Sequence, residues 1–344
     1  MLEQGDVVAF EACWSGSFRG RSAYTLVDGA LHRADPDARA DVTVPGTLFP
    51  RLTDHHVHLA LIDPEPLLDG GITHVVDLGG DPALTGRLRR DAAFPGSTLP
   101  DIHIAGAFLT CSGGYPKGRE WAPDGGVVEL DDPGQAESAV RSQAASGASV
   151  IKVTVNSTAG PVPSPDLLAA IVTAARAEGM PVAAHVEGEG MTALALDAGV
   201  NVIAHAPFTE RLDPAIIARM SRAGTAVIST LDIHRDAAAG QERDTALWNV
   251  RHLAAAGVRV LYGTDLGNGE LPLAVNEREL SAMAEAGIER DALVSAIAGT
   301  PSVDVVGPRF AWVPGTPPES AEETAAWLAG ARGTTVDYLE ETLE

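Results

Sequence analysis

The sequence predicts an α/β protein: a (β/α)8 TIM barrel with a small accessory β-domain formed from both chain ends. Three observations predict it. From residue 48 to about 307, short runs rich in Val, Ile and Leu alternate with amphipathic segments, the pattern of strand-helix units around a parallel sheet. Eight such runs can be counted, the number that closes a barrel. A His, Lys or Asp stands at or near the end of five of them, which is where barrels of this kind build their active sites.

Residues 1–47 read as the N-terminal part of the accessory domain, with short polar-apolar alternation and turn signals at Val27-Asp28-Gly29 and Asp35-Pro36-Asp37. In the barrel, residues 48–307, strands are expected to end near His58, Leu78, Phe108, Val155, Val186, Ala206, Leu231 and Asp265. Helices are expected over 81–93, 133–146, 165–178, 191–198, 214–223 and 241–256. Ser164-Pro165 and Asp213-Pro214 pair an N-cap with a proline in the first turn, and Gly179, Gly199, Gly224 and Gly257 fall where helix C-terminal caps belong. Residues 308–344 offer a strand-like run at Arg309–Val313, a loop, a helix over 321–329 and Thr334–Tyr338, completing the accessory domain. Neither end carries a nameable catalytic residue.

Composition narrows the function. The 344 residues are 45% hydrophobic, enough for a large core, and the formal net charge of −23 argues against nucleic acid or an anionic membrane surface as partner. A small-molecule substrate is expected. The first residues lack a basic stretch leading into a long apolar run, and no segment is apolar for the roughly 18–20 residues of a membrane span, so a cytoplasmic location is expected. Cys13 and Cys111 are too few for a disulfide framework and read as free thiols. A homo-oligomer is compatible with an accessory domain too small to be stable alone.

The chemistry-bearing residues start at Asp54-His55-His56-Val57-His58. Strand alternation puts Asp54, His56 and His58 on one face and His55 and Val57 on the other. Two imidazoles on one wall can share a metal, although a strand histidine serves equally well as a hydrogen-bonded core residue. Lys152, His185, His205 and Asp265 then end later apolar runs, and six potential ligands in series argue for a site. Of the 24 basic residues only Lys117 and Lys152 are lysines, and Lys152 lies amid Val-Ile and Val-Thr-Val neighbours. Burial there favours the neutral amine, the form that adds carbon dioxide, and the resulting carbamate offers two oxygens to two metals.

The chain resembles the amidohydrolase superfamily, in its imidazolonepropionase-like and dipeptidase-like branch with a binuclear centre bridged by a carboxylated lysine. The resemblance covers residues 44 to about 300 and rests on Pro45–Leu59 as entry strand, Ile151-Lys152-Val153 as fourth strand, Tyr262-Gly-Thr-Asp265 as eighth, and His185 and His205 in order between them. It implies that His56, His58 and Asp265 hold one metal and His185 and His205 the other, with carboxylated Lys152 and a hydroxide bridging. Zinc suits these ligands, and manganese, iron and cobalt are alternatives. The hydroxide would cleave a C–N bond of a linear or cyclic amide, with Asp265 acting as general base and then acid. The resemblance also implies an accessory β-domain built from both ends, which here look short and eroded. Asp54 would orient a ligand histidine.

One departure stands out. Members of this branch often carry a histidine in a Gly-Gly-His segment after the third strand, and here Gly113-Gly114 is followed by Tyr115, whose phenol could donate to a developing oxyanion. His234, in the loop after strand 7, is a further catalytic candidate because such loops line the site. Lys117 and Arg119 are candidates to meet a substrate carboxylate, and Asn156 follows the lysine strand. Alternative readings are a lactonase or phosphotriesterase-type hydrolase, a one-metal deaminase, which the lysine argues against, and a non-catalytic vestigial barrel, which the intact ligand series argues against.

Overall fold

The computed structural model describes residues 2–123, 125–236 and 240–343. Eight parallel barrel strands follow one another in sequence. The first three, Thr53–Val57, His74–Asp77 and Asp101–Ile104, pair in that order. The third breaks at Ala105–Ala107 and resumes as Phe108–Thr110, which pairs with strand 4, Ile151–Asn156. Strands 5 to 8, Val182–Glu187, Val202–Ile203, Ala226–Ile228 and Val260–Leu261, then pair in order. The ring closes between strands 8 and 1, where His55 N–H donates to Tyr262 O at 3.1 Å and Val57 bridges Leu266 in parallel.

The expected helices form at Pro82–Ala92, Ala136–Ala145, Pro165–Ala177, Met191–Ala198, Pro214–Ala223 and Gly240–Ala255. Their starts have a physical cause. Asp81, Ser164 and Asp213 each accept a backbone N–H of the first turn while a proline occupies the next position, which supplies no orphan donor. Two further helices, Glu277–Glu285 and Arg290–Ala298, follow strand 8.

Alternation along the strands sorts residues between two environments. Ile151, Val153 and Val155, with Val182, Ala184 and Val186, join the main apolar cluster shared with the helices. Lys152, Thr154, Asn156, His185 and Glu187 are the intervening residues and therefore share the opposite face. Strand ends differ from the sequence reading. Strand 8 stops at Leu261 instead of Asp265, and strands 6 and 7 stop at Ile203 and Ile228, short of Ala206 and Leu231. In strand 8 the cause is local: a Cβ on Gly263 would lie 3.1 Å from His56 N, and Asp265 takes a left-handed φ of 58°, so the chain leaves the ladder there.

Both chain ends build one sheet of eight strands: Val7–Trp14, Phe18–Arg19, Ser22–Val27, Ala30–Arg33, Val42–Phe49, Val305–Val306, Arg309–Val313 and Arg332–Thr335. It carries its own core of Val8, Phe10, Tyr24, Leu31, Phe310 and Trp312 among others. The ends are thus not eroded. The strand Val42–Phe49 sits between Val7–Trp14 and Arg309–Val313, so the N- and C-terminal contributions depend on each other for pairing, which short-range alternation could not reveal. Among the described residues no helix is long and apolar enough to cross a membrane.

Candidate active site

At the closing seam, His56, His58 and Asp265 come together. Nε2 of each histidine lies 3.1 Å from Asp265 Oδ1. The tautomers follow from the partners: His56 Nδ1 meets Ala204 O at 2.8 Å and His58 Nδ1 meets Gly79 O at 2.9 Å, and since a carbonyl only accepts, both Nδ1 atoms carry the hydrogen. Both Nε2 lone pairs therefore converge on the carboxylate. Nε2 of His56 is buried with no hydrogen-bond partner, a costly state for a nitrogen lone pair beside an anion. Two imidazole nitrogens and one carboxylate oxygen, all within 4.8 Å of one another, form a donor set that fits a divalent ion such as zinc.

Strands 4, 5 and 6 bring up the second group. The His205 ring lies 4.7 Å from that of His56 and 4.9 Å from that of His185. His205 Nδ1 is 3.0 Å from Thr230 Oγ1. His185 Nε2 has two neighbours, Asn156 Nδ2 at 3.2 Å and Glu187 Oε2 at 3.5 Å. Asn156 Nδ2 also donates to Glu187 Oε2 at 2.7 Å, so the amide's two hydrogens can serve both the carboxylate and the ring. Lys152 is 1% exposed. Burial lowers its pKa to about 7, against the opposing pull of Asp265 and Asp77, so a large share of the amine is neutral near neutrality.

Burial lowers His56, His185 and His205, whereas His58, also pulled down by burial, is raised overall by its contact with Asp265 and by Asp77. Burial pushes the Asp265 carboxyl upward, but His56, His58 and His205 outweigh it and hold the group well below the usual carboxylate range. Asp265 Oδ2 accepts from Asn268 Nδ2 at 2.9 Å.

Supporting residues include several that the sequence reading missed. Asp77, at the end of strand 2, accepts from Leu59 N at 2.7 Å and Gly79 N at 3.1 Å, holding the turn whose carbonyl orients His58. The strand-end rule that singled out the candidate ligands applies to Asp77 and to Glu187 as well. Asp54 touches the main chain of the candidate ligand His56 and not its ring: its Oδ1 accepts His56 N at 3.0 Å and Thr264 N at 3.1 Å. His55 turns to Tyr262 O, 2.9 Å from its Nδ1.

His56, His58, Lys152, His185, His205 and Asp265 line a pocket of about 570 Å³. Tyr115 enters it stacked on His185 at 5.0 Å between ring centroids, and burial, with Asp265 and Glu187 adding, pushes its hydroxyl up to about 12, so it keeps its proton. Phe108 and Trp121 continue that wall, 6.0 Å apart. On another wall His234 packs on Phe208 at 4.6 Å, its Nδ1 3.6 Å from Glu242 Oε2 and its buried Nε2 without a partner among the described residues. Lys117 and Arg119 are not among the lining residues. Lys117 pairs instead with Glu129 at 3.0 Å, and the Arg119 guanidinium stands 5.8 Å from the Tyr115 ring centroid.

Known proteins share this architecture. An uncharacterized protein of Mycobacterium tuberculosis strain H37Rv is 31% identical over 274 residues, covering 71% of this chain and 70% of that protein, and one of Mycobacterium bovis matches equally. Among solved structures, a Xaa-Pro dipeptidase with bound methionine superposes with a TM-score of 0.78 at 20% identity, over 95% of this chain and 97% of that one. The ochratoxinase of A. niger superposes with a TM-score of 0.75 at 18% identity, over 95% and 93%. The match to the amidohydrolase family runs over residues 47–293, from the strand before the histidine pair through Asp265 to the helix beyond, and on that match the chain belongs to the amidohydrolase family.

Proposed function

We propose that the protein is a binuclear metal-dependent hydrolase that cleaves a C–N bond, a linear or cyclic amide, in a small molecule. The observation that carries this reading is the convergence of His56 Nε2 and His58 Nε2 on Asp265 Oδ1, each at 3.1 Å, with both Nδ1 hydrogens spent on carbonyls. His56, His58 and Asp265 would hold one ion and His185 and His205 the other, with carboxylated Lys152 between them. That modification needs only carbon dioxide: the neutral Nζ attacks carbon, a C–N bond forms, and one proton leaves to water. When bound, two divalent ions of zinc type would acidify water and polarise a substrate carbonyl.

The chain's own groups supply the remainder. Asp265 Oδ2, facing Asn268, is the atom that takes up a proton during attack and hands it to the departing nitrogen. Tyr115, protonated across the neutral range, donates its O–H to the developing oxyanion. His234 Nε2, free of any other partner, is available to hydrogen-bond the substrate, with Glu242 steadying Nδ1. Phe108, Trp121 and Phe208 exclude water from the walls.

The test is elemental analysis of protein purified without chelators or a metal-affinity tag. About two ions per chain are expected, with turnover of amides lost on chelation and regained with zinc and bicarbonate. No metal, and no uptake on adding both, would sink the reading.

A further inference from the structure

The Lys and Arg residues are unevenly placed around the pocket. Its lining includes the carboxylates of Glu187 and Glu242 besides Asp265, but among the described lining residues Lys152 alone carries a basic chain, and it is 1% exposed beside the candidate ligands. Of the two cations on the loop after strand 3, Lys117 is paired with Glu129, and Arg119 stands against the Tyr115 ring, 5.8 Å from its centroid, without joining the lining itself. Trp121 and Phe208 add aromatic faces to the same lining, while the Tyr115 ring is taken up by His185 and Arg119. The Trp121 residue is 38% exposed, and the side chains of Glu187 and Glu242 are 24% and 52% exposed, so all three reach solvent that an incoming molecule would displace. His234 Nε2, on a side chain 7% exposed, adds an unpartnered acceptor to the same wall.

Aromatic faces are electron-rich and attract cations, and carboxylates beside them add charge. A substrate carboxylate placed against these acids, away from the scissile bond, would be repelled, with no exposed guanidinium or ammonium among the described lining residues to offset them. We propose that the substrate is an amide with an aromatic or apolar body and a positively charged nitrogen, seated against Glu187, Glu242 and the aromatic wall. This rests on the hydrolase reading. It separates the protein from enzymes that grip the free carboxylate of a dipeptide.

The experiment uses three small probes, none of which is hydrolysed and none of which is a strong metal ligand: benzyltrimethylammonium, benzyl alcohol and benzenesulfonate. Binding of each to the protein as purified, by calorimetry in 0.15 M salt, screens the general attraction of an acidic particle to within about 8 Å. Benzyltrimethylammonium should bind about 10-fold more tightly than benzyl alcohol, and benzenesulfonate more weakly than either. Glu242→Gln should shrink the cation-to-neutral ratio several-fold, and Trp121→Leu should do the same through the opposite wall. A single substitution barely alters the net charge of −23, so a ratio that moves reports the pocket. Equal binding of cation and neutral probe, tighter binding of the sulfonate, or a ratio untouched by both substitutions would overturn the proposal. Because no probe turns over, this ranking can fail while metal-dependent amide hydrolysis stands, and can hold while hydrolysis fails.

Discussion

Thr264 Oγ1 donates a 2.6 Å hydrogen bond to Asp54 Oδ2 across 210 positions of sequence. The bond stitches the last barrel segment to the first, next to the residues that supply His56 and Asp265. Asp54 is 3% exposed and burial raises its pKa to about 7, so this hydroxyl and the backbone N–H groups of His56 and Thr264 are what make the buried carboxyl tolerable. Thr264→Val keeps the shape and removes the donor. Denaturant unfolding at pH 8 should show a loss of about 1–3 kcal/mol, with Thr264→Ser close to wild type. If valine proved neutral, the seam would be held without this hydroxyl, by its backbone hydrogen bonds and packing.

Lys152→Met separates a structural lysine from a ligand. Methionine fills similar volume without a buried amine, so the metal-free protein should unfold at the same or a higher temperature than wild type. Metal content should fall to one ion per chain or fewer. Unchanged metal content would remove Lys152 from the centre.

Tyr115→Phe deletes one donor and leaves the stacking on His185 in place. Steady-state kinetics on an amide substrate should show kcat reduced about 10²–10³-fold, KM nearly constant and the thermal midpoint unmoved. A change confined to KM would make Tyr115 a wall and not an oxyanion donor.

Glu279 predicts a pH effect that does not involve the candidate metal ligands. It is fully buried, its Oε2 accepts Asp232 N at 2.7 Å, and burial raises its pKa from an ordinary 4.5 to about 7. A carboxyl raised on folding binds its proton more tightly in the folded state, so its contribution is complete below pH 4.5 and is lost as pH rises through 7. Glu279→Gln keeps an acceptor for Asp232 N and cannot ionise. Stability measured from pH 4.5 to 8 should fall less steeply for the variant, by on the order of 3 kcal/mol across the window. Parallel curves would show that Glu279 does not titrate there.

The candidate ligand series was legible because residues at the ends of barrel strands are brought toward a common centre. The order His56, His58, Lys152, His185, His205, Asp265 is a linear record of a ring. Helix starts were legible for an equally local reason, since Asp81, Ser164 and Asp213 cap within two or three residues of themselves. The eight-stranded accessory sheet was underestimated because its ladder joins residues such as Trp312 and Leu48, whose pairing leaves no mark in either segment alone.

The sequence by itself determined the family, the barrel and the candidate ligands, because each depends on residue type and short-range periodicity. Tertiary structure alone decided which lone pairs face one another, that His56 and His58 spend Nδ1 on Ala204 and Gly79, that Glu187 and Glu242 share a pocket, and that Lys117 and Arg119 turn elsewhere. Those facts arise from contacts between residues tens to hundreds of positions apart, where a hydrogen bond or a repulsion is fixed by distance and direction in space.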